Sequence, residues 1–114
     1  MGALPDWTLS ADQRVISRSF TAKNWSAAMA FFNTLSDLSE EEGHHPDIHL
    51  TGWRNVTVDL STHAIGGLSM PDLVLAAKID AIPVEYSPKW LREKQAAMEA
   101  ANPGSGGTEG VTAQ

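Results

Sequence analysis

Residues 44–63 hold three histidines in a fixed frame, His44-His45-Pro46 followed by Ser61-Thr62-His63. Imidazole is the side chain whose proton moves near neutral pH, so such a group reads as an acid/base constellation or a metal site. The chain has no cysteine, which removes thiol nucleophiles, redox pairs and Cys-ligated zinc. A metal would draw on His45 and His49, four apart, with His63 and Asp47 as further ligands. On a helix that spacing brings two rings to one face. Here it falls on a strand, where the two residues share a face yet stand about 13 Å apart, too far for one ion to bridge. The metal reading is therefore the weaker one, and acid/base chemistry stands beside the plain reading, since any one of these histidines taken alone reads as an ordinary exposed or hydrogen-bonded residue.

Asp72 is the carboxylate that could complete the group. Its Ser69-x-x-Asp72 spacing is that of a helix capping box, a purely structural role, and Pro71 suits a first helical turn. A carboxylate at that helix start could also hydrogen-bond the His63 ring and fix its tautomer, and the two roles are compatible. Glu40, Glu41 and Glu42 read as a solvated helix end and Trp53 as a packing residue of a hairpin bend.

The elements that must position these groups follow from periodicity. Trp7-Thr8-Leu9 and Val15–Phe20 are short extended runs around a turn at Ala11-Asp12-Gln13, an N-terminal hairpin. From Thr21 the period changes: Trp25, Ala28, Met29, Phe32, Leu35 and Leu38 recur at helical steps until Gly43, a natural left-handed stop. His44 and His45 thus lie where a helix gives way to a strand, with Pro46 biasing His45 to extended geometry, and at such a junction both rings can converge on one pocket. Ile48 and Leu50, then Val56, Val58 and Leu60, alternate on two strands around Thr51-Gly52-Trp53. His63 ends the second of these, on the face opposite Val56, Val58 and Leu60. A second helix is predicted from Met70 to Ala81, packed through Leu73, Ala76, Ala77 and Ile79. The order is ββαββα: an α+β two-layer sandwich with a four-stranded antiparallel sheet covered on one face by two helices. Beyond it, 84–101 carries a short C-terminal helix from Lys89 to Ala100, with Trp90, Leu91, Lys94 and Met98 on one face. Residues 102–114, rich in Gly and polar groups, read as a flexible tail. The division is therefore a domain over 1–83, the helical segment and the tail.

With 114 residues, 42% of them hydrophobic, one modest core needs no disulfide or structural metal. Fourteen acidic against eight basic side chains give a net charge of −6, which opposes binding to nucleic acid or anionic membranes. No apolar run approaches the length of a membrane span. A soluble protein is expected, in the cytoplasm or an organelle, with a small molecule or a protein as partner.

Glu40 through Asp47, Trp53, Ser61-Thr62-His63 and Gly67-Leu68-Ser69 with Asp72 resemble the pterin-4a-carbinolamine dehydratase family over about residues 7 to 82. The run from His44 to Trp53 is more similar to plant and protist members: Ile48 stands where animal members often carry an aromatic residue, and the gap from His45 to His63 is one residue longer. The resemblance implies a fold of a four-stranded antiparallel sheet with helices on one side. It also implies a reaction, loss of water from a 4a-hydroxytetrahydropterin to give the quinonoid dihydropterin, in tetrahydropterin recycling beside an aromatic amino-acid hydroxylase. Carried over by motif position, His44, His45 and His63 are catalytic with Asp72 orienting His63, and Glu40, Pro46, Asp47 and Trp53 contact substrate. Neither metal nor cofactor is implied, and a homodimer or homotetramer is. The rival reading is a binding or assembly protein on the same scaffold, since members similar to this family serve as a dimerisation cofactor of a transcription factor or as a Rubisco assembly factor.

Overall fold

A computed structural model describes residues 4–101. β1 (Thr8–Leu9), β2 (Ile16–Thr21), α1 (Trp25–Glu42), β3 (Asp47–Thr51), β4 (Asn55–Leu60), a single 3-10 turn (His63–Ile65), α2 (Met70–Asp80) and α3 (Pro88–Ala101) follow one another along the chain. The four strands form one antiparallel sheet in the order β1-β2-β4-β3. The expected α+β architecture holds, and the C-terminal helix is present.

β2 and β4 are the central strands, and their alternation sets the core. Ile16 and Phe20 of β2 and Val56, Val58 and Leu60 of β4 are buried, against Ala28, Phe31 and Leu35 of α1 and Leu75, Ala76 and Ile79 of α2. The stripe of α1 is shifted from the one its periodicity predicts: Phe31 takes the central place, and Trp25 is 54% exposed at the first turn. α1 starts at Asn24, whose side-chain oxygen accepts from the Ala27 N–H at 2.9 Å, a standard use of an orphan donor. It stops at Gly43, whose φ of 65° is left-handed, so the chain reverses immediately before His44. At the sheet edge β3 is poorly covered, and Ile48, expected in the core, is 48% exposed.

One charge is buried in step with the alternation. Arg18 lies between Ile16 and Phe20 on the covered face and is 5% exposed. Its guanidinium donates to Asp80 Oδ1 at 3.1 Å and to the Tyr86 hydroxyl at 2.6 Å, and Trp7 Nε1 donates to the same Asp80 oxygen at 3.0 Å. Tyr86 also stands edge-on to Phe20 and stacks on Trp90, and the Ser87 N–H donates to the Thr21 carbonyl. The segment leading into α3 is thereby fastened to β2. Arg18→Met should remove the charge but leave Asp80 and Tyr86 half-partnered; we expect a loss of about 2 kcal/mol, read from the urea midpoint of unfolding.

Candidate active site

The site begins where α1 ends. Gly43 turns the chain, His44 and His45 follow, and Pro46 delivers it into β3. The two adjacent rings do not converge, because each engages a different carboxylate. His44 Nε2 lies 2.5 Å from Asp72 Oδ1, and His45 Nε2 lies 2.5 Å from Glu40 Oε2. The pairs differ in environment. Asp72 is fully buried and His44 largely so, whereas His45 and Glu40 side chains are 63% and 75% exposed.

Asp72 is held from several directions at once. Its Oδ2 accepts from the Thr62 hydroxyl at 2.7 Å and from the Ser69 N–H at 2.9 Å, and Ser69 Oγ lies 3.3 Å away. Thr62 Oγ1 in turn meets Ser69 Oγ at 2.6 Å. Thr62 is fixed by a backbone bridge, its N–H donating to the Gly67 carbonyl at 2.6 Å. Burial alone would raise the Asp72 pKa, but the hydrogen bonds from Thr62, His44 and the Ser69 N–H, with the attraction of the His44 ring, together lower it below the ordinary carboxylate value. The capping role and the histidine-orienting role read from the sequence coexist in this one side chain, since Asp72 caps the start of α2 while meeting an imidazole.

The imidazole it meets is His44 rather than His63. β4 ends at Leu60, the chain bends through Ser61 and Thr62, and His63 opens the 3-10 turn instead of closing a strand. Thr62 shares the parity of Val56, Val58 and Leu60, the face on which α2 packs, and it takes the place beside Asp72. His63 is exposed, and while its carbonyl accepts from the Gly66 N–H, its ring has no hydrogen-bond partner among the described residues. Thr62 is the residue missed by sequence reasoning; Ser69 carried a signal through its capping spacing, and Thr62 one through its parity with Val58 and Leu60.

The remaining candidates divide by position. Glu40, His45 and Pro46 line a half-open groove of about 190 Å³ between α1 and β3, walled by Phe32, Leu35 and Ile48. Asp47 begins β3 opposite Asp59. Trp53 is not brought to the histidines: the hairpin register runs from Asp47↔Asp59 to Thr51↔Asn55, which leaves it at the other end of β3, on the order of 13 Å along the strand. His49 pairs with Asp59 at 3.1 Å on the open face of the sheet. The set His45, His49, His63 and Asp47 is therefore not a cluster, and among the described residues no group of three or more His, Cys, Asp or Glu could hold a metal ion.

A four-stranded antiparallel sheet under two helices, with a His-carboxylate pair where the first helix meets the sheet, defines a small α+β protein built to hold an oriented imidazole. The sequence model of the pterin 4 alpha carbinolamine dehydratase family matches residues 1–82, and the chain belongs to that family. It is 44% identical over 93 residues to the mitochondrial pterin-4-alpha-carbinolamine dehydratase 2 of Arabidopsis thaliana, covering 80% of this chain and 48% of that protein, so the chain spans about half the length of the plant relative. A putative pterin-4-alpha-carbinolamine dehydratase of Nocardia farcinica is 48% identical over 77 residues, 68% of this chain and 78% of its own. Among solved structures, a transcriptional coactivator/pterin dehydratase from Brucella melitensis superposes with a TM-score of 0.65 at 31% identity, covering 70% of this chain and 84% of that one. A pterin dehydratase-like protein described as a RuBisCO assembly factor in the alpha-carboxysome superposes at 0.57 with 26% identity, covering 67% and 87%. The helix α3 lies beyond the matched residues. No helix among the described residues is long and apolar enough to cross a membrane.

Proposed function

We propose that this chain dehydrates a 4a-hydroxytetrahydropterin to the quinonoid dihydropterin by histidine acid/base catalysis, in the recycling of tetrahydropterin used by an aromatic amino-acid hydroxylase. The observation that carries the reading is the His44–Asp72 pair with Asp72 fully buried. The reaction removes the N5 proton, forms the N5=C4a double bond and expels the 4a-hydroxyl as water once it is protonated. It is redox-neutral, so one base and one acid suffice.

An ionised carboxylate only accepts hydrogen bonds, so His44 presents its Nε2–H to Asp72, and in the neutral ring Nδ1 is left with its lone pair. That is the state a base needs, and His44 is assigned to the N5 proton. His63, exposed and with no ring partner among the described residues, is assigned to the departing hydroxyl. His45 and Pro46, with Glu40 behind His45, form the wall next to this pair, and Asp47 flanks it at the start of β3; these contact the pterin. Trp53 is left out of the substrate contacts because the hairpin carries it away.

The test uses a synthetic 4a-carbinolamine followed by its absorbance as water is lost. The native chain should accelerate the loss, and Ala at His44, His45 or His63 should slow it with folding retained; full rates in all three variants would sink the reading. Assembly or coactivator function, suggested by the printed descriptions of the two solved relatives, is the second reading, and a stable protein partner together with absent turnover would favour it. We further propose a homo-oligomer: β3 is an unpaired edge strand carrying the half-exposed Ile48, and light scattering should give a mass of two or four chains.

A further inference from the structure

At the end of the sheet away from the histidines, the β3–β4 turn and the first turns of α3 enclose a polar cleft of about 310 Å³, within the range of roughly 300–1,000 Å³ typical of small-molecule sites. Three charged side chains line it, Arg54, Lys89 and Glu93. None forms an ion pair with another or with any other described residue, although Lys89 and Glu93 are one helical turn apart on α3, the spacing at which opposite charges ordinarily meet. The Arg54 guanidinium lies over the Trp53 ring, 4.7 Å from its centre. Asn55 gives its oxygen to the Thr21 hydroxyl at 2.9 Å, which leaves its amide donor without a partner among the described residues. Trp90 closes the floor, held by its stack on Tyr86.

Trp53 makes the cleft more than a surface irregularity. Its φ is 60°, in the left-handed region beside Gly52 at 53°, a conformation that a bulky L-residue disfavours. Glycine would fill that place without strain, yet a tryptophan stands there with 54% of its surface in water. Within the chain its ring meets the Arg54 guanidinium, and an occupant of the cleft would bury more of it.

The donor and acceptor inventory specifies that occupant. Two cations and an amide donor call for a carboxylate, a single unpaired carboxylate one helical turn from Lys89 calls for an ammonium, and an exposed indole face calls for a flat ring. We infer that the cleft binds a free α-amino acid with a planar ring side chain, its carboxylate held by Arg54, Lys89 and the Asn55 amide, its ammonium by Glu93, and its ring against Trp53. The lining is mostly polar and open to water, so the affinity is of millimolar order. The site is separate from the histidine pair and would let a small metabolite bind while the dehydration site is empty or filled.

The experiment is a titration of the full chain, labelled with ¹⁵N, by L-phenylalanine, following the indole and side-chain amide signals. The Trp53 indole and Asn55 amide signals should move saturably. N-acetyl-L-phenylalanine, which lacks the ammonium, and L-phenylalaninamide, which lacks the carboxylate, should each bind about tenfold more weakly. Trp53→Gly relieves the backbone rather than straining it, so it should fold at least as well as the native chain while losing the response; Lys89→Gln and Glu93→Gln should weaken it separately. His44→Ala should bind as the native chain does. Three results would overturn the inference: no saturable movement, equal binding of all three compounds, or movement confined to signals from His44 to Ile48.

Discussion

Asp72→Asn should fold and yet lose turnover by about 10²–10⁴-fold, the range in which a positioned acid/base group contributes. The reason lies in how the two carboxylate oxygens are used. Oδ2 accepts from the Ser69 N–H and the Thr62 hydroxyl, so in the amide that position must remain oxygen. The amide nitrogen then replaces Oδ1 and faces His44 Nε2. Two donors cannot share that contact, so Nε2 must give up its proton, the ring adopts the other tautomer, and Nδ1 carries the hydrogen. An imidazole in that state cannot accept the N5 proton. kcat should fall with KM little changed, because the pterin contacts are untouched. Steady-state kinetics on the synthetic carbinolamine decide it: a variant within about twofold of the native rate would remove His44 as the base.

The same side chain links folding to pH. The folded-state pKa of Asp72 is lowered, so its contribution to stability is fully present above the unfolded value of about 3.9 and is lost as pH falls toward the folded value. Between about pH 5 and 8 this contribution is flat. Asp72→Asn abolishes it, so the stability gap between the native chain and the variant should narrow as pH falls below about 4 in urea unfolding series. A gap that widened on acidification would mean the carboxylate is better stabilised in the unfolded chain.

The order of strands and helices was legible because each element announces its own period, and the signals at its ends are local: Gly43 for α1, Ser69 and Asp72 for α2. The site was legible as a set of residues but not as a set of contacts. The parity of β4 places His63 on the face away from the helices and Thr62 on the face toward them, so the expected contact of Asp72 with His63 ran against the alternation, and Thr62 makes it instead. Arg18 escaped for a related reason: its parity puts it beside Ile16 and Phe20 on the covered face, but a charge is not expected there without partners, and the groups that make its burial tolerable, Asp80 and Tyr86, are remote in sequence. Trp53 was drawn toward the substrate by family likeness, and the hairpin register carries it to the opposite end of the sheet. What the sequence conceals is the long-range partner, because a hydrogen bond between distant residues leaves no periodic trace.

If His44 and His63 are the two halves of one proton relay, removing either should cost nearly as much as removing both. Each single Ala variant is expected to lose about 10²–10⁴-fold in kcat, and the double variant no more than a few-fold beyond the worse single one, because a dehydration that lacks its base gains nothing from a well-placed acid. The pH profiles separate the roles. A base must be unprotonated, so its titration costs rate as pH falls; an acid must be protonated, so its titration costs rate as pH rises. The native profile should be bell-shaped, His44→Ala should lose the acidic limb and His63→Ala the alkaline one. Swapped limbs would reverse the assignment while preserving the relay. Fully multiplicative losses in the double variant would instead show two histidines acting independently, and the buried Asp72 would then serve the architecture of α2 more than the chemistry of the rings.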